Sequence, residues 1–235
     1  MISIIIPTLN EEKNIKTLLA TIKKGDFDDY EVIIADAGSK DKTIEIARGY
    51  NCIITKGGLP ARGRNNGAKV AKGDILFFLD ADLKFSPKNF LKLSVEQFIK
   101  DDLAVASFPI LPQKNNLYMN PLTLNLFYNK PQKLLKRVFP MGAMGIMVKK
   151  DIFEKVKGFD ESITLAEDHY FIQQAEKLGK FGIIEDVSIY MPLRRFEKDG
   201  YFTTAFKYLI CAFNMGVLGK PERKIKYDFG HYDKK

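Results

Sequence analysis

Asp80 and Asp82, separated by Ala81, close the apolar run in "ILFFLDADLKFSP". Two carboxylates at the end of a buried strand suit a hard divalent cation, Mg2+ or Mn2+, which in turn holds a diphosphate. The alanine between them lets both side chains turn to one side of an extended exit. An Asp-x-Asp pair is also an ordinary turn, so its company matters. Asp36, with Gly38 and Ser39 in a tight turn, offers an acceptor to a base N–H. Pro7, Thr8 and Asn10 offer backbone contacts, and Glu11 an acceptor for a ribose hydroxyl. Arg64 and Lys69 supply donors for phosphate oxygens. Glu167 and Asp168 open a helical pattern, where they are either an acidic first turn favoured by the helix dipole or a carboxylate that takes a proton in a reaction.

These residues need a scaffold that gathers strand ends. Strand signals at Ile2 to Pro7, Glu31 to Ala35, Cys52 to Thr55 and Ile75 to Leu79 alternate with helix signals, which predicts βα units and a mainly parallel α/β sheet. Ile15, Leu18, Leu19 and Ile22 recur at helical spacing, and Ser86-Pro87 reads as the capped start of the helix carrying Phe90, Leu91, Val95, Phe98 and Ile99. Ile75 to Leu79 is apolar on both faces, as in a sheet covered by helices, and ligands of such sheets bind beyond the carboxyl ends of the strands. Further strands are expected at Leu103 to Phe108, in "AMGIMVKK" and in "FGIIEDVSIYM", with a long irregular segment from Pro109 to Pro140 read as substrate-side or as a packing insert.

Composition restricts the classes of function. At 235 residues, 46% hydrophobic and 28% charged, the chain reads as one soluble domain with a substantial core. A net charge of +8 would suit a phosphorylated substrate, nucleic acid or an anionic membrane, but no aromatic–arginine interleaving points to specific nucleic-acid binding. Cys52 and Cys211 lie far apart, and His169 and His231 lack metal-ligand spacing, so neither a disulfide framework nor a zinc site is expected. The opening "MISIIIPTLN" reads as a first strand and not as a signal peptide, which predicts a cytoplasmic location.

The segments "SIIIPTLNEE", "VIIADAGSKDKT", "RNNGAKVAKGDILFFLDAD", "GFDES" and "AEDHYF" occur in an order that resembles family 2 glycosyltransferases, over residues 1 to about 195. The resemblance implies a GT-A, Rossmann-like fold, a UDP- or GDP-sugar donor and inversion at the anomeric carbon. It implies that Asp36 reads the base, that Asp80 lies near ribose and metal, that Asp82 ligates Mg2+ or Mn2+, and that Asp168 of the Glu-Asp pair is the catalytic base. Residues 1–195 would form the catalytic domain, with a nucleotide-sugar half (1–108) and an acceptor half (109–195), and 196–235 a helical extension. Ala37 stands where many members carry a second aspartate, and there is no Gln-x-x-Arg-Trp motif and no tryptophan, which argues against a processive synthase.

Arg194 and Arg195 precede an apolar helix candidate from Tyr201 to Leu218 and could close over the diphosphate or meet a phosphorylated acceptor. That helix suits a membrane interface, its own domain or a second subunit of a homodimer. A sugar or glycolipid hydroxyl is the expected acceptor. A polyprenyl-phosphate acceptor is the alternative, although "FPMGAMGIM" departs from the pattern of those synthases. A sugar-nucleotide pyrophosphorylase would need a glycine-rich phosphate loop that "IIIPTLNEE" lacks, and a non-catalytic nucleotide-sugar binder would not need both Asp82 and Asp168.

Overall fold

The computed structural model describes residues 1–136, 139–142, 144–217 and 221. Its main sheet has seven strands in the order β3-β2-β1-β4-β8-β6-β9. They are β1 (Ile2–Thr8), β2 (Tyr30–Asp36), β3 (Ile53–Lys56), β4 (Ile75–Leu79), β6 (Val105–Ser107), β8 (Gly145–Lys149) and β9 (Phe181–Ile183). Strands β1 to β4 are mutually parallel where they pair, and β8 runs antiparallel between β4 and β6. The chain winds outwards from β1 to β3 and returns on the other side of β1 as β4, which makes the β1–β4 boundary a topological switch point. In open α/β sheets ligands bind at such a boundary, beyond the carboxyl ends of the strands.

Alternation along the strands divides the core. Ile4, Ile6, Phe77 and Leu79 face the helices α1 (Glu12–Lys23) and α4 (Phe90–Lys100), packing on Ile15, Leu18, Leu19, Phe90 and Phe98. Ile5, Ile33 and Phe78 face the other way, towards α3 (Pro60–Val70), α7 (Lys150–Val156) and α8 (Glu167–Glu176). The short helix α2 (Thr43–Gly49) joins β2 to β3. Both faces of the sheet are therefore buried, as the continuous apolar strands predict.

Several boundaries differ from the sequence expectation. The helix after Pro87 begins at Phe90 with Asn89 as its N-cap, and no side chain caps it, because Ser86 ends a three-residue strand, β5 (Lys84–Ser86). "FGIIEDVSIYM" is two strands, β9 and β10 (Ser188–Met191). With β7 (Ile110–Pro112), β5 and β10 form a second sheet in the order β5-β10-β7. Strands of three or four residues are too short for alternation to register. The irregular segment is largely helical: α5 (Pro121–Leu124), a π-helical turn (Asn125–Asn129) and α6 (Lys130–Leu135). Two helices follow the second sheet, α9 (Arg194–Asp199) and α10 (Tyr201–Val217), so Leu218 and His231 lie outside the described residues.

Candidate active site

The loops after β1 and β2 are laced together by polar contacts. Asp36 Oδ1 accepts from the backbone N–H groups of Gly38 and Ser39, both at 2.8 Å, while Oδ2 accepts from the hydroxyls of Thr8 and Ser39 at 3.0 and 2.5 Å. Four donors thus fill the four acceptor positions of one carboxylate. Gly38 sits at φ +98°, which allows the turn to fold back on Asp36. Asn10, at φ +55°, donates its N–H to Ser39 Oγ and accepts at Oδ1 from the N–H of Lys40. The Thr8 carbonyl accepts from Ala37 N–H at 2.9 Å, and Pro7 lies buried in β1. In this arrangement Asp36, Thr8 and Asn10 hold the loop pair in shape.

Two arginines organise the acidic side. Helix α3 lies flush on β1: a Cβ at Gly67 would stand 2.3 Å from Ile5 Cγ2, and one at Gly63 3.0 Å from Pro7 Cβ. Arg64, between those glycines, is therefore buried and reaches the strand ends. It donates to Glu167 Oε1 at 2.6 Å and to Asp80 Oδ1 at 2.9 Å, with its guanidinium 5.3 Å from the centre of the Phe159 ring. Arg194, delivered by the second sheet through α9, donates to Asp82 Oδ2 and, at 3.3 Å, to Glu11 Oε1. Gln113, just beyond β7, fixes the same turn by donating to the Asp82 carbonyl at 2.7 Å and the Tyr190 carbonyl at 3.0 Å. Ala81 turns its methyl into the core.

The two arginines counter the charge of Glu11, Asp80, Asp82, Glu167 and Asp168 only in part. Burial pushes Asp80 above the ordinary carboxylate range; Arg64 opposes that shift and Asp82 adds to it. Burial likewise raises Glu167 and Glu11, against the pull of Arg64 on the first and of Asn14 and Arg194 on the second. Excess negative charge on hard oxygen donors is the environment a divalent cation relieves, so Asp80 and Asp82 fit the metal role read from the sequence. Among the described residues no cluster of three or more His, Cys, Asp or Glu side chains has the geometry of a metal site.

Asp168 follows Glu167 in the first turn of α8, whose N-cap, Ala166, holds a left-handed φ of +62° and supplies no side-chain cap. A non-glycine residue in that conformation stores strain of about 1 kcal/mol. Asp168 Oδ1 accepts from the His169 backbone N–H at 2.8 Å and lies 3.0 Å from His169 Nδ1. Burial pushes Asp168 upward, but His169 and Arg64 outweigh it and hold the carboxyl below its ordinary range. Burial also works against protonation of His169, yet the neighbouring Asp168 raises its value overall.

Other sequence candidates sit elsewhere. Lys69 is on the outer face of α3 with its ammonium donating to Asn66 Oδ1 at 3.2 Å; one helical turn beyond Arg64, it is carried away from the strand ends. Arg195 donates to Tyr208 Oη at 2.7 Å and so braces α10 against α9. The sequence reading missed Tyr128, whose hydroxyl is buried without a hydrogen-bond partner among the described residues, within electrostatic reach of Asp168 and Tyr208. It comes from the π-helical turn, in a segment without periodicity to flag it. His169 had a visible signal, its position directly after Asp168. A cavity of about 490 Å3 lies away from these groups, beside β9, lined by Gln97, Asp101, Lys180 and Glu185.

With this geometry in view, the model of the family described as glycosyl transferase family 2 matches residues 3–157. The chain belongs to this family. It is 29% identical over 184 residues to an uncharacterized glycosyltransferase of Haemophilus influenzae, covering 73% of this chain and 60% of the relative. It is 26% identical over 234 residues to the 4,4'-diaponeurosporenoate glycosyltransferase of Staphylococcus haemolyticus, covering 89% and 59%. The chain thus spans about 60% of the length of these curated relatives. The mannosyltransferase PcManGT from Pyrobaculum calidifontis, solved in complex with GDP-Man and Mn2+, superposes with a TM-score of 0.73 at 20% identity, covering 94% of this chain and 65% of that one. The chain accordingly has the GT-A fold.

Proposed function

We propose that this glycosyltransferase moves a sugar from a UDP- or GDP-sugar to a hydroxyl acceptor on a sugar or glycolipid, in one inverting, non-processive displacement. The observation that carries the reading is Asp168: a half-buried, ionised carboxylate in the first turn of a helix, tied to His169 and facing the Asp80–Asp82 end of β4 across Arg64. Both described hydrogen bonds to Asp168 use Oδ1, so Oδ2 is the oxygen that takes the proton from the acceptor hydroxyl. The acceptor oxygen then bonds to the anomeric carbon as the bond to the diphosphate breaks. A divalent cation held by Asp80 and Asp82 would neutralise charge growing on the departing diphosphate. Arg194, now countering Asp82 and Glu11, is the cation positioned to shift towards the diphosphate when metal and donor arrive.

Calorimetric titration of UDP, GDP and their sugar conjugates, with Mn2+ and then with chelator, identifies the donor and the metal requirement. Asp168→Asn is expected to keep donor binding and to lose transfer by about 100-fold or more. Transfer by Asp168→Asn at the wild-type rate would remove Asp168 from the base role.

A further inference from the structure

Exposed apolar surface is concentrated in one part of the molecule. Of the fourteen large hydrophobic side chains exposed among the described residues, nine fall in residues 117–135 and 202–206. Leu117, Leu122, Phe127, Leu134 and Phe202 each expose 74–84% of their area. The two segments meet: the Tyr118 ring lies 5.2 Å from that of Tyr201 and 5.9 Å from that of Phe202, and Asn116 Nδ2 donates to Tyr201 Oη at 2.6 Å. The exposed face of α10 is the back of a packed helix, since Thr204, Cys211 and Met215 on its other side are buried, the latter two against Leu165 and Ala166.

Charge selects the occupant. No Asp or Glu occurs from residue 103 to residue 150, while Lys114, Lys130, Lys136 and Arg137 fall within the apolar segment or at its edges and Lys133 pairs with Glu185 at 2.6 Å. Lys114 and Lys130 are exposed. A second copy docked through the same patch would set cation against cation, because a two-fold interface pairs a surface with itself. An anionic bilayer accepts both components, with aromatic and leucine side chains entering the interface and lysines meeting lipid phosphates. None of the described helices is long and apolar enough to cross a membrane. The contact is therefore with its surface.

The patch also adjoins the active site. Phe196 stacks on Tyr201 at 5.9 Å and belongs to α9, which carries Arg194 to Asp82. We propose that residues 114–136 and the outer face of α10 form one docking surface for an anionic bilayer, and that the acceptor hydroxyl belongs to an amphiphile drawn from that bilayer. The docking stands apart from the transferase reading; the acceptor class rests on it.

The full chain is floated with vesicles of phosphatidylcholine alone and of phosphatidylcholine with phosphatidylglycerol, at low and high salt. The wild type is expected to float with the anionic vesicles and to be released by salt. Phe127→Asp and Phe202→Asp should each reduce partitioning by about tenfold, with unchanged melting and unchanged donor titration. Lys114→Glu with Lys130→Glu should abolish the preference for phosphatidylglycerol. The docking is overturned if the wild type floats with neither vesicle, if the charge reversal leaves the preference intact, or if sedimentation finds a dimer that the Asp variants dissociate. With docking established, stimulation of donor turnover by a total lipid extract supports the amphiphile acceptor, and turnover only with water-soluble sugars refutes it. Absent donor binding would fail the transferase reading alone.

Discussion

Arg64 is the side chain on which the acidic cluster depends. Its side chain is 6% exposed and it pairs with both Asp80 and Glu167, so removing it leaves buried carboxylate charge without a partner. Arg64→Met is expected to destabilise the fold by about 3 kcal/mol in urea titration, even though methionine matches much of its packing against Phe159. An unchanged midpoint would mean that the two carboxylates find other donors. Tyr128 makes the opposite prediction. Its hydroxyl is buried with no described partner, so Tyr128→Phe should leave the melting temperature unchanged or slightly raised. If that hydroxyl meets the acceptor, transfer falls by about tenfold while donor binding is kept. A proportional loss of stability and activity would instead assign Tyr128 to packing. Asp36, read from the sequence as the residue that meets the base, also has a local role: its carboxylate accepts from Thr8, Gly38 and Ser39 and so shapes the loop after β2.

The α3 helix shows how packing places a functional side chain. Gly63 and Gly67 face β1 so closely that the helix can sit against the strand only without Cβ atoms, and Arg64 reaches Asp80 because of that approach. Gly67→Ala is expected to cost about 1–3 kcal/mol through its clash with Ile5. It should also weaken donor binding, as α3 and Arg64 move away from the strand ends. Normal donor affinity in a destabilised Gly67→Ala would separate the packing from the site. The sequence offered Arg64 as a donor to phosphate, while the glycines that flank it in "RGRNNG" take their meaning from the helix-on-sheet contact. The second sheet was not legible because its strands are three or four residues long, and the π-helical turn was not legible because it has no repeating apolar spacing. Together they deliver Gln113 and Arg194 to Asp82, and Tyr128 towards Asp168.

Across the whole molecule, the Asp168–His169 pair couples the site to stability. The folded-state value of Asp168 is depressed, so its contribution is complete above the ordinary 3.8 and is lost as pH falls through the lower folded value. His169 is raised, so its contribution is complete below 6.5 and is lost as pH rises through the higher folded value. The pair therefore stabilises most between about 3.8 and 6.5. Comparing denaturant midpoints against pH for the wild type and His169→Gln isolates it: the wild type should lose its advantage as pH rises above 6.5, and a constant difference would refute the coupling. The sheet, its covering helices and the family were legible in the chain, because alternating strands, helical apolar stripes and short ordered motifs are local patterns. The charge network was not, since Arg64 meets Glu167 across 103 residues and Arg194 meets Asp82 across 112. Such pairs are set by how closely helices approach the sheet and by where the second sheet turns the chain. The exposed apolar patch proposed to dock was half legible: the apolar character of α10 could be read from the sequence. Its union with residues 117–135 required folding to bury one face of that helix and leave the other beside Tyr118.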